Sequence, residues 1–316
     1  MRRVFFSALS ALAVATAPAP AAALSASYLY NLATTGGPVR SSWPSVIYEP
    51  QHDEVFVVTD GFVRIFNRLG MQVHSFGDED ETGVVRSVAV LDDGDILVVA
   101  TQHGRTVIHR CSYRGEPLSK FTPTGVPADF AGKFDPDTVV YRKGLVYLAD
   151  RGGLKILVTD TEGAFKASYD LAKILGQKQK SEKKHGSSED LSITGFCVDD
   201  DGNLLLTAPV LFYVFVVSPR GEVTGFGTRG STAGKFNIIG GITTDAKGNI
   251  WVTDTLRAVV LVFTKQFEYL GEFGYRGYAR NALVAPLELA VGKDGKVFVA
   301  QSADRGVSVF RVSFDQ

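Results

Sequence analysis

Short apolar runs alternate with polar turns along the chain, and one such unit recurs six times at intervals of about 40 to 60 residues. Each unit is an apolar strand, a tight turn and a second apolar strand. The six copies are VIYEPQHDEVFVVTD, AVLDDGDILVVA, VVYRKGLVYLAD, CVDDDGNLLLTA, ITTDAKGNIWVTD and AVGKDGKVFVAQ. All but the first contain a glycine, which tolerates the positive φ of tight hairpin turns. Helical periodicity is nearly absent, so the pattern predicts an all-β chain.

Repeats of this length, built from short strands, predict a six-bladed β-propeller in which each unit supplies one four-stranded antiparallel blade. In the fifth unit the four strands are predicted at residues 241–244, 250–253, 259–263 and 269–273. Middle strands such as ILVVA and IWVTD are nearly continuous apolar runs. Such runs are typical of sheets that are packed on both faces, as blades are by neighbouring blades.

The sixth unit lacks its fourth strand, because only three strands fit before the chain ends at Gln316. Near the other end, residues 27–32 (SYLYNL) read as a strand that has no partner in its own unit. We predict that this N-terminal strand completes the last blade and closes the ring. Closure would remove the exposed edges of an open array of sheets.

The N-terminus has the pattern of a secretory signal peptide. Arg2 and Arg3 precede an apolar run over residues 4–15, and the small residues 21–23 fit a cleavage site. The alternative is a membrane anchor, but the run is shorter than the about 20 residues that span a bilayer. We therefore expect a signal peptide over residues 1–23, a single propeller domain over residues 24–316, and a periplasmic or secreted protein that does not span the membrane.

Composition narrows the possible functions. The chain has 33 Lys and Arg residues against 34 Asp and Glu residues, so it carries no net positive charge. This balance disfavours nucleic-acid binding. The two cysteines, Cys111 and Cys197, fall two repeats apart and are interpreted as small buried residues rather than a disulfide. They are too few for a thiolate zinc site, and there is no haem-attachment motif, nucleophile elbow or P-loop.

The fifth unit, GKFNIIGGITTDAKGNIWVTDTLRAVVLVFTKQFEYLGEFG, closely resembles an NHL repeat. The matches are Phe236, Gly241, Ile242, Asp245, Gly248, Asn249, Asp254, Thr255, Val262, Phe263 and Gly274. Looser matches extend the resemblance over nearly the whole mature chain. The repeats are degenerate, since Val259 and Gly306 stand where many NHL repeats carry Arg, and Gln301 replaces the repeat Asp of the sixth unit. The resemblance implies the fold but little about function, because such propellers include binding scaffolds, receptor ectodomains, lyases and hydrolases.

The starts of the inner strands surround the central channel of a propeller, and aligning the units places three charged residues there: Arg86, Asp137 and Glu288. Two carboxylates and a cation around one pocket are suited to a divalent ion or to a small ligand that bears both charges. The alternative is an Arg–carboxylate network that satisfies buried charge. No confident metal site is assigned, and no histidine lies at the expected mouth, so the histidine-bound metal of the propeller amidating lyases is not supported. The carboxylate ligands of the propeller lactonases leave room for Asp137 and Glu288.

Asp60, Asp150 and Asp254 near the ends of second strands are interpreted as turn caps that accept backbone N–H bonds rather than as acid/base residues, because they recur with the repeat.

A basic insertion over residues 170–190 lies between the third and fourth units. Asp170 and the following residues predict a short capped helix. The insertion contains five lysines: Lys173, Lys178, Lys180, Lys183 and Lys184. As a functional element it would be a lid or a docking patch for an acidic partner. The alternative is an insertion that is simply solvated.

These observations favour an exported, non-enzymatic and monomeric propeller that presents one face of its ring to a protein or polymeric ligand. No cofactor is expected, except for the divalent cation that the channel carboxylates leave open. The alternative is a metal-assisted hydrolase or lyase at the channel mouth, with Asp137 and Glu288 as oxygen ligands and Arg86 binding an anionic substrate group.

Overall fold

Six four-stranded antiparallel sheets surround a central channel in the computed structural model, which describes residues 24–39, 44–77, 81–132, 134–182 and 191–314. The innermost strands contact one another in cyclic order, blade one to blade six and back to blade one. The predicted six-bladed β-propeller is therefore confirmed. The expected signal peptide, residues 1–23, lies outside the described residues.

Each blade places its strands in chain order from the channel to the rim, except that the outer strand of blade six comes from the N-terminal side. Blade one contains β4 (Ser45–Glu49), β5 (Glu54–Thr59), β6 (Phe62–Phe66) and β7 (Gln72–Phe76). Blade two contains β8 (Val84–Val90), β9 (Ile96–Gln102), β10 (Arg105–Cys111) and β11 (Pro117–Lys120). Blade three contains β12 (Thr138–Arg142), β13 (Leu145–Asp150), β14 (Lys155–Asp160) and β15 (Phe165–Asp170).

The second half of the ring repeats this order. Blade four contains β16 (Phe196–Val198), β17 (Leu204–Ala208), β18 (Tyr213–Val217) and β19 (Val223–Phe226). Blade five contains β20 (Ile239–Thr244), β21 (Ile250–Asp254), β22 (Val259–Phe263) and β23 (Tyr269–Phe273). Blade six contains β24 (Pro286–Val291), β25 (Lys296–Gln301), β26 (Gly306–Phe314) and β1 (Leu24–Asn31). A two-residue hairpin, β2 (Ala33–Thr34) with β3 (Gly37–Pro38), follows β1. A one-turn helix, α1 (Ala128–Ala131), precedes blade three.

The N-terminal strand closes the ring as predicted. β1 pairs antiparallel with β26, from Leu24 opposite Phe314 to Asn31 opposite Ser308. The Asn31 side chain fixes this register, because its Oδ1 accepts hydrogen bonds from Ser308 Oγ at 2.8 Å and from Tyr28 Oη at 3.2 Å. The sixth sheet thereby gains its outer strand, and β26 does not present an open edge.

The ring has two faces, which we call upper and lower. Inner strands begin at the upper face, which also carries the connections between second and third strands and those between blades. Turns that join the first to the second strand, and the third to the outer strand, lie on the lower face. No helix among the described residues is long and apolar enough to cross a membrane.

Apolar side chains of neighbouring blades pack against each other and form the core. Phe298 of blade six packs with Val57 and Phe66 of blade one, for example, and Trp251 of blade five with Val299 of blade six. Because both faces of each sheet are covered in this way, the middle strands are apolar along nearly their whole length. Cys111 and Cys197 are buried and free, as predicted.

The repeat aspartates cap turns in two of the three predicted cases. Asp150 accepts N–H bonds from Asp135 at 3.1 Å and from Gly153 at 2.6 Å, and the buried Asp254 accepts three such bonds. For Asp60 the prediction is not tested: it is exposed at a φ of 53° within a turn and accepts no bond of this kind from the described residues, but position 43, the repeat equivalent of the donors to Asp254 and Gln301, lies outside them. In blade six, Gln301 Oε1 accepts the Val284 N–H at 2.7 Å and thus replaces the missing Asp.

The basic insertion begins with the predicted capped helix. Helix α2 (Leu171–Glu182) follows β15, and Asp170 Oδ1 caps it by accepting the Lys173 N–H at 3.0 Å. The Leu171 N–H donates to Leu154 O on the upper face at 2.8 Å, and Leu171 and Leu175 are buried against blades three and four. The insertion therefore starts on the upper face. Residues 183–190 lie outside the described part of the chain.

Candidate functional site at the upper channel mouth

A channel of about 1900 Å³ runs through the ring, and the inner strands line it. Aligning the six units by sequence places two residues of each blade at the start of its inner strand, Arg86, Asp137 and Glu288 among them. All of these residues except Gly195 line the channel. The group is Pro44, Ser45, Arg86, Ser87, Asp137, Thr138, Thr194, Gly240, Gly241, Leu287 and Glu288. We call this level of the channel the upper mouth.

β-Bulges at the upper mouth interrupt the inner strands of blades two, five and six. The pairing register shifts between Val85 and Ser87, and again between Pro286 and Glu288. In blade five it shifts between Ile239 and Ile242, across two glycines. A bulge leaves residues unpaired and bends the strand, which re-aims the side chains beside it. Arg86 is a bulged residue of this kind, and Glu288 follows one.

Asp137 is already paired, but not with Arg86. Its Oδ1 accepts a hydrogen bond from Arg151 Nε at 2.7 Å and another from its neighbour Thr138 Oγ1 at 2.5 Å. Arg151 also donates to Thr194 O, and so links blade three to blade four. Asp137 is thus part of an Arg–carboxylate pair, but its cation is Arg151 of the β13–β14 connection and not the Arg86 of the expected network.

Glu288 has no such partner. Among the described residues its carboxyl group makes no hydrogen bond or ion pair, although the residue is half-buried. Burial raises the pKa of Glu288 from its ordinary 4.5 to about 7, and the nearby charge of Arg151 opposes this rise only in part. Glu288 is therefore a carboxyl group that changes its charge near neutral pH within the channel.

Close packing of the inner strands holds Glu288 in place. A Cβ added at Gly241 would lie 2.6 Å from Glu288 Oε2 and from Leu287 O. Two threonines on second strands also hydrogen-bond to the inner strand of the next blade. Thr207 Oγ1 donates to Gly240 O at 2.6 Å, and Thr253 Oγ1 donates to Leu287 O at 3.1 Å. Glycine is thus needed at position 241 because the Glu288 side chain and the neighbouring backbone occupy the space of a side chain.

Arg86 is exposed at the upper mouth and forms no hydrogen bond or ion pair with the described residues. At the lower end of the channel, by contrast, several polar side chains link neighbouring blades. Tyr141 Oη donates to Asp92 Oδ2 at 2.6 Å, and Lys293 Nζ donates to Pro50 O at 2.6 Å. A cation and a carboxyl group that have no hydrogen-bond or ion-pair partner among the described residues therefore both line the channel at its upper end.

The arrangement does not fit a metal centre. No group of three His, Cys, Asp or Glu side chains among the described residues is placed to hold an ion. Asp137, one of the two expected oxygen ligands, is engaged by Arg151. None of His52, His74, His103 and His109 lines the channel, and His185 lies outside the described residues.

Arg151 is the residue that sequence reasoning missed. It directly follows the capping Asp150, at the turn after the second strand, where Thr255 follows Asp254 in blade five. Both line the channel, and Thr255 Oγ1 donates to Pro286 O at 2.8 Å. The usable signal was the repeat itself, because second strands end at the same face where inner strands begin.

Of the five lysines of the insertion, only Lys173 has a described side chain, and it does not line the channel. Lys173 is exposed on α2, and Lys178 and Lys180 belong to the same helix. Lys183 and Lys184 fall outside the described residues. The chain returns to the channel at Leu191 and Ile193, which line it, so the insertion leaves and re-enters the ring on the upper face.

No model of a known protein family matches the chain, and no curated protein sequence matches it. Solved structures do resemble its fold. A streptogramin B lyase structure superposes with a TM-score of 0.60 at 16% identity, covering 92% of this chain and 98% of that one. A putative gluconolactonase superposes with a TM-score of 0.59 at 14% identity, covering 94% of each chain. A protein of unknown function from Bacteroides thetaiotaomicron gives a TM-score of 0.64 at 14% identity, covering 92% of this chain and 76% of that one. At these identities the likeness establishes the six-bladed fold alone.

Proposed function

We propose that this protein is an exported, non-enzymatic binding propeller, and that its protein or polymeric ligand inserts an acidic group into the upper mouth. One observation carries the proposal: Arg86 has no hydrogen-bond or ion-pair partner among the described residues and lines the same channel as Glu288, whose carboxyl group lacks such a partner as well. A guanidinium group binds carboxylates through paired hydrogen bonds. A protonated Glu288 would donate to the ligand without adding a repelling charge.

The cavity supports this proposal through its size and its lining. About 1900 Å³ is more than a drug-sized molecule fills, so a side chain or the end of a polymer has room to enter. The Asp137–Arg151 pair supplies a fixed polar wall beside that space.

The test is a thermal-shift screen with small acids as probes: monocarboxylates, dicarboxylates, uronic acids and acidic dipeptides. We expect at least one class to raise the melting temperature of the wild-type protein but not of Arg86→Gln. Arg114→Gln, which removes an exposed arginine on the lower face, is the matched control and should respond like wild type. The proposal fails if no acid stabilises the protein, or if both variants respond alike.

A second candidate function is a lyase or hydrolase acting at the same mouth, and the pKa of Glu288 near 7 favours it. A carboxyl group with such a pKa can give and take a proton at neutral pH. A lyase and a putative gluconolactonase share the fold. Elemental analysis combined with chelator treatment tests the metal-assisted form, since a stoichiometric metal lost on chelation would support it. Turnover of a lactone panel that disappears in Glu288→Gln would support a metal-free form.

A further inference from the structure

The upper-face connections of blades four, five and six are strongly basic. Five of these connections are described in full: 209–212, 227–238, 255–258, 274–285 and 302–305; the connection that follows blade six, 32–44, is described only in part and is left out of the count. Together they contain six cationic residues and one carboxylate. The cations are Arg229, Lys235, Arg257, Arg276, Arg280 and Arg305, and the carboxylate is Asp304. We call this surface the basic patch; it lies beside the channel, outside the group of residues at the upper mouth.

Large apolar side chains are exposed among these cations. Tyr278 is 93% exposed, and four others in the same connections are about half exposed: Val210, Ile238, Leu256 and Tyr275. Isolated exposed apolar residues are common on protein surfaces, but clusters of them mark interaction sites. Tyrosine and arginine are also the residues that most often dominate the energy of protein interfaces.

Hydrogen bonds hold part of the basic patch in a fixed arrangement. Arg305 Nη1 donates to Tyr278 O at 3.2 Å, and its other terminal nitrogen donates to Ala279 O. Arg276 donates to Leu256 O, which joins the connections of blade five. An ordered surface loses less conformational entropy on binding than a mobile one does.

Other cations of the patch are available to a partner. Arg280 is exposed and forms no hydrogen bond or ion pair with the described residues, and the same holds for the Lys235 side chain. Arg229 lies over the Phe212 ring at 5.1 Å. Exposed carboxylates lie instead in the upper-face connections that follow blades one and two, at Glu81 and Asp135. The upper face is therefore electrically asymmetric, which would orient an acidic partner towards blades four to six.

We propose that the basic patch is a docking surface for an acidic protein segment that also carries aromatic or aliphatic residues. Because the patch is positively charged, charge complementarity requires a negatively charged partner. Arg257 is already paired with Glu272 of β23, and four of the other five cations are arginines, whose planar guanidinium groups recognise carboxylates. The exposed Tyr278 and Leu256 match apolar side chains between those carboxylates. This site goes beyond the proposed function, because it uses none of the residues of the upper mouth.

The experiment selects binders from a display library of random short peptides, with the full-length protein as bait. The affinity of the enriched peptides is then measured for variants. The patch variant combines Tyr278→Ser with Arg280→Ser. The matched control combines Leu69→Ser with Arg220→Ser, which removes one exposed apolar residue and one exposed arginine from the lower face. All four side chains are exposed, so neither variant should disturb folding.

We expect enrichment of peptides rich in Asp and Glu with interspersed apolar residues. Their affinity should fall at least about tenfold in the patch variant and less than about twofold in the control, and it should weaken as salt is added. Peptides whose affinity falls in Arg86→Gln but not in the patch variant would bind the upper mouth, and a selection that yields only such peptides would overturn the docking surface. The proposal is overturned if no acidic peptides are enriched or if both double variants lose affinity equally. Patch-dependent sedimentation with anionic phospholipid vesicles in the absence of peptide enrichment would overturn it as well, in favour of a membrane surface.

Discussion

Replacing Glu288 with Gln should stabilise the folded protein at pH 8 and leave its stability unchanged at pH 4. Burial raises the pKa of this carboxyl group from 4.5 to about 7 in the folded state, so the folded protein holds the proton more tightly than the unfolded chain does. Below pH 4.5 both states are protonated and no penalty exists. As the pH rises from there to about 7 the folded state loses stability, because the unfolded chain ionises at lower pH. Glutamine stays neutral and avoids that loss.

The size of the effect follows from the pKa difference. One pKa unit corresponds to 1.36 kcal/mol, so charging Glu288 at pH 8 would cost the folded state at most about 3 kcal/mol. Because the side chain is partly open to water in the channel, we expect a gain of about 2 kcal/mol for Glu288→Gln.

The measurement is urea unfolding of the wild-type protein and Glu288→Gln at pH 4 and pH 8, followed by tryptophan fluorescence. Glu222→Gln, at an exposed position of a lower-face turn, serves as the control and should show no comparable difference. A gain of equal size at both pH values would show that the amide improves packing and that titration is not the cause. A loss of stability confined to pH 8 would show that the ionised carboxylate has a stabilising partner, which contradicts the reasoning.

Four further predictions concern the structure around the site. Asp254→Asn should lower the free energy of unfolding by about 1–3 kcal/mol, because the buried carboxylate accepts three backbone N–H bonds. Asp60→Asn is the control and should change the free energy of unfolding by less than about 0.5 kcal/mol. Equal losses for the two variants in denaturation curves would contradict the prediction. Gly241→Ala should cost about 1–3 kcal/mol by overpacking against Glu288, whereas Gly132→Ala, where a Cβ meets no atom within 4 Å, should be nearly neutral in the same assay. Deletion of β1 should abolish soluble expression, and a folded product would refute its role in closure. Both cysteines should resist a thiol reagent until the protein is unfolded, because burial raises the pKa of each thiol; rapid labelling of the native protein would contradict this.

The repeat made most of the fold predictable from sequence. A turn glycine between two apolar strands marks the same place in five blades, and the unpartnered strand near the N-terminus left one arrangement that closes the sheet of blade six. The capped helix after Asp170 was also predicted, because an Asp before a helix-forming stretch satisfies free N–H groups at the helix start. The turn glycines and the helix cap are local features that short-range sequence patterns encode, whereas the long-range pairing of β1 with β26 could be predicted because the repeat count left one strand missing.

The partners within the site were harder to predict, because they depend on contacts between blades. Alignment placed Asp137 and Glu288 at one level, but it did not show that Arg151 pairs with the first while the second lacks any described partner. Nor did it show how the environments of the repeat positions differ. Asp60 lies at the repeat position but adopts a positive φ and is exposed, and a side-chain amide at Gln301 performs the capping in blade six.

The pairing of β1 with β26 determines at which face the protein can be attached to a tag or a surface. Leu24 lies opposite Phe314, so the described chain enters and leaves at neighbouring points on the lower face. A tag, a fused domain or a surface attached at either point would sit behind the ring and leave the upper mouth and the basic patch facing outwards. Protein immobilised at either of these two points should therefore keep both surfaces accessible.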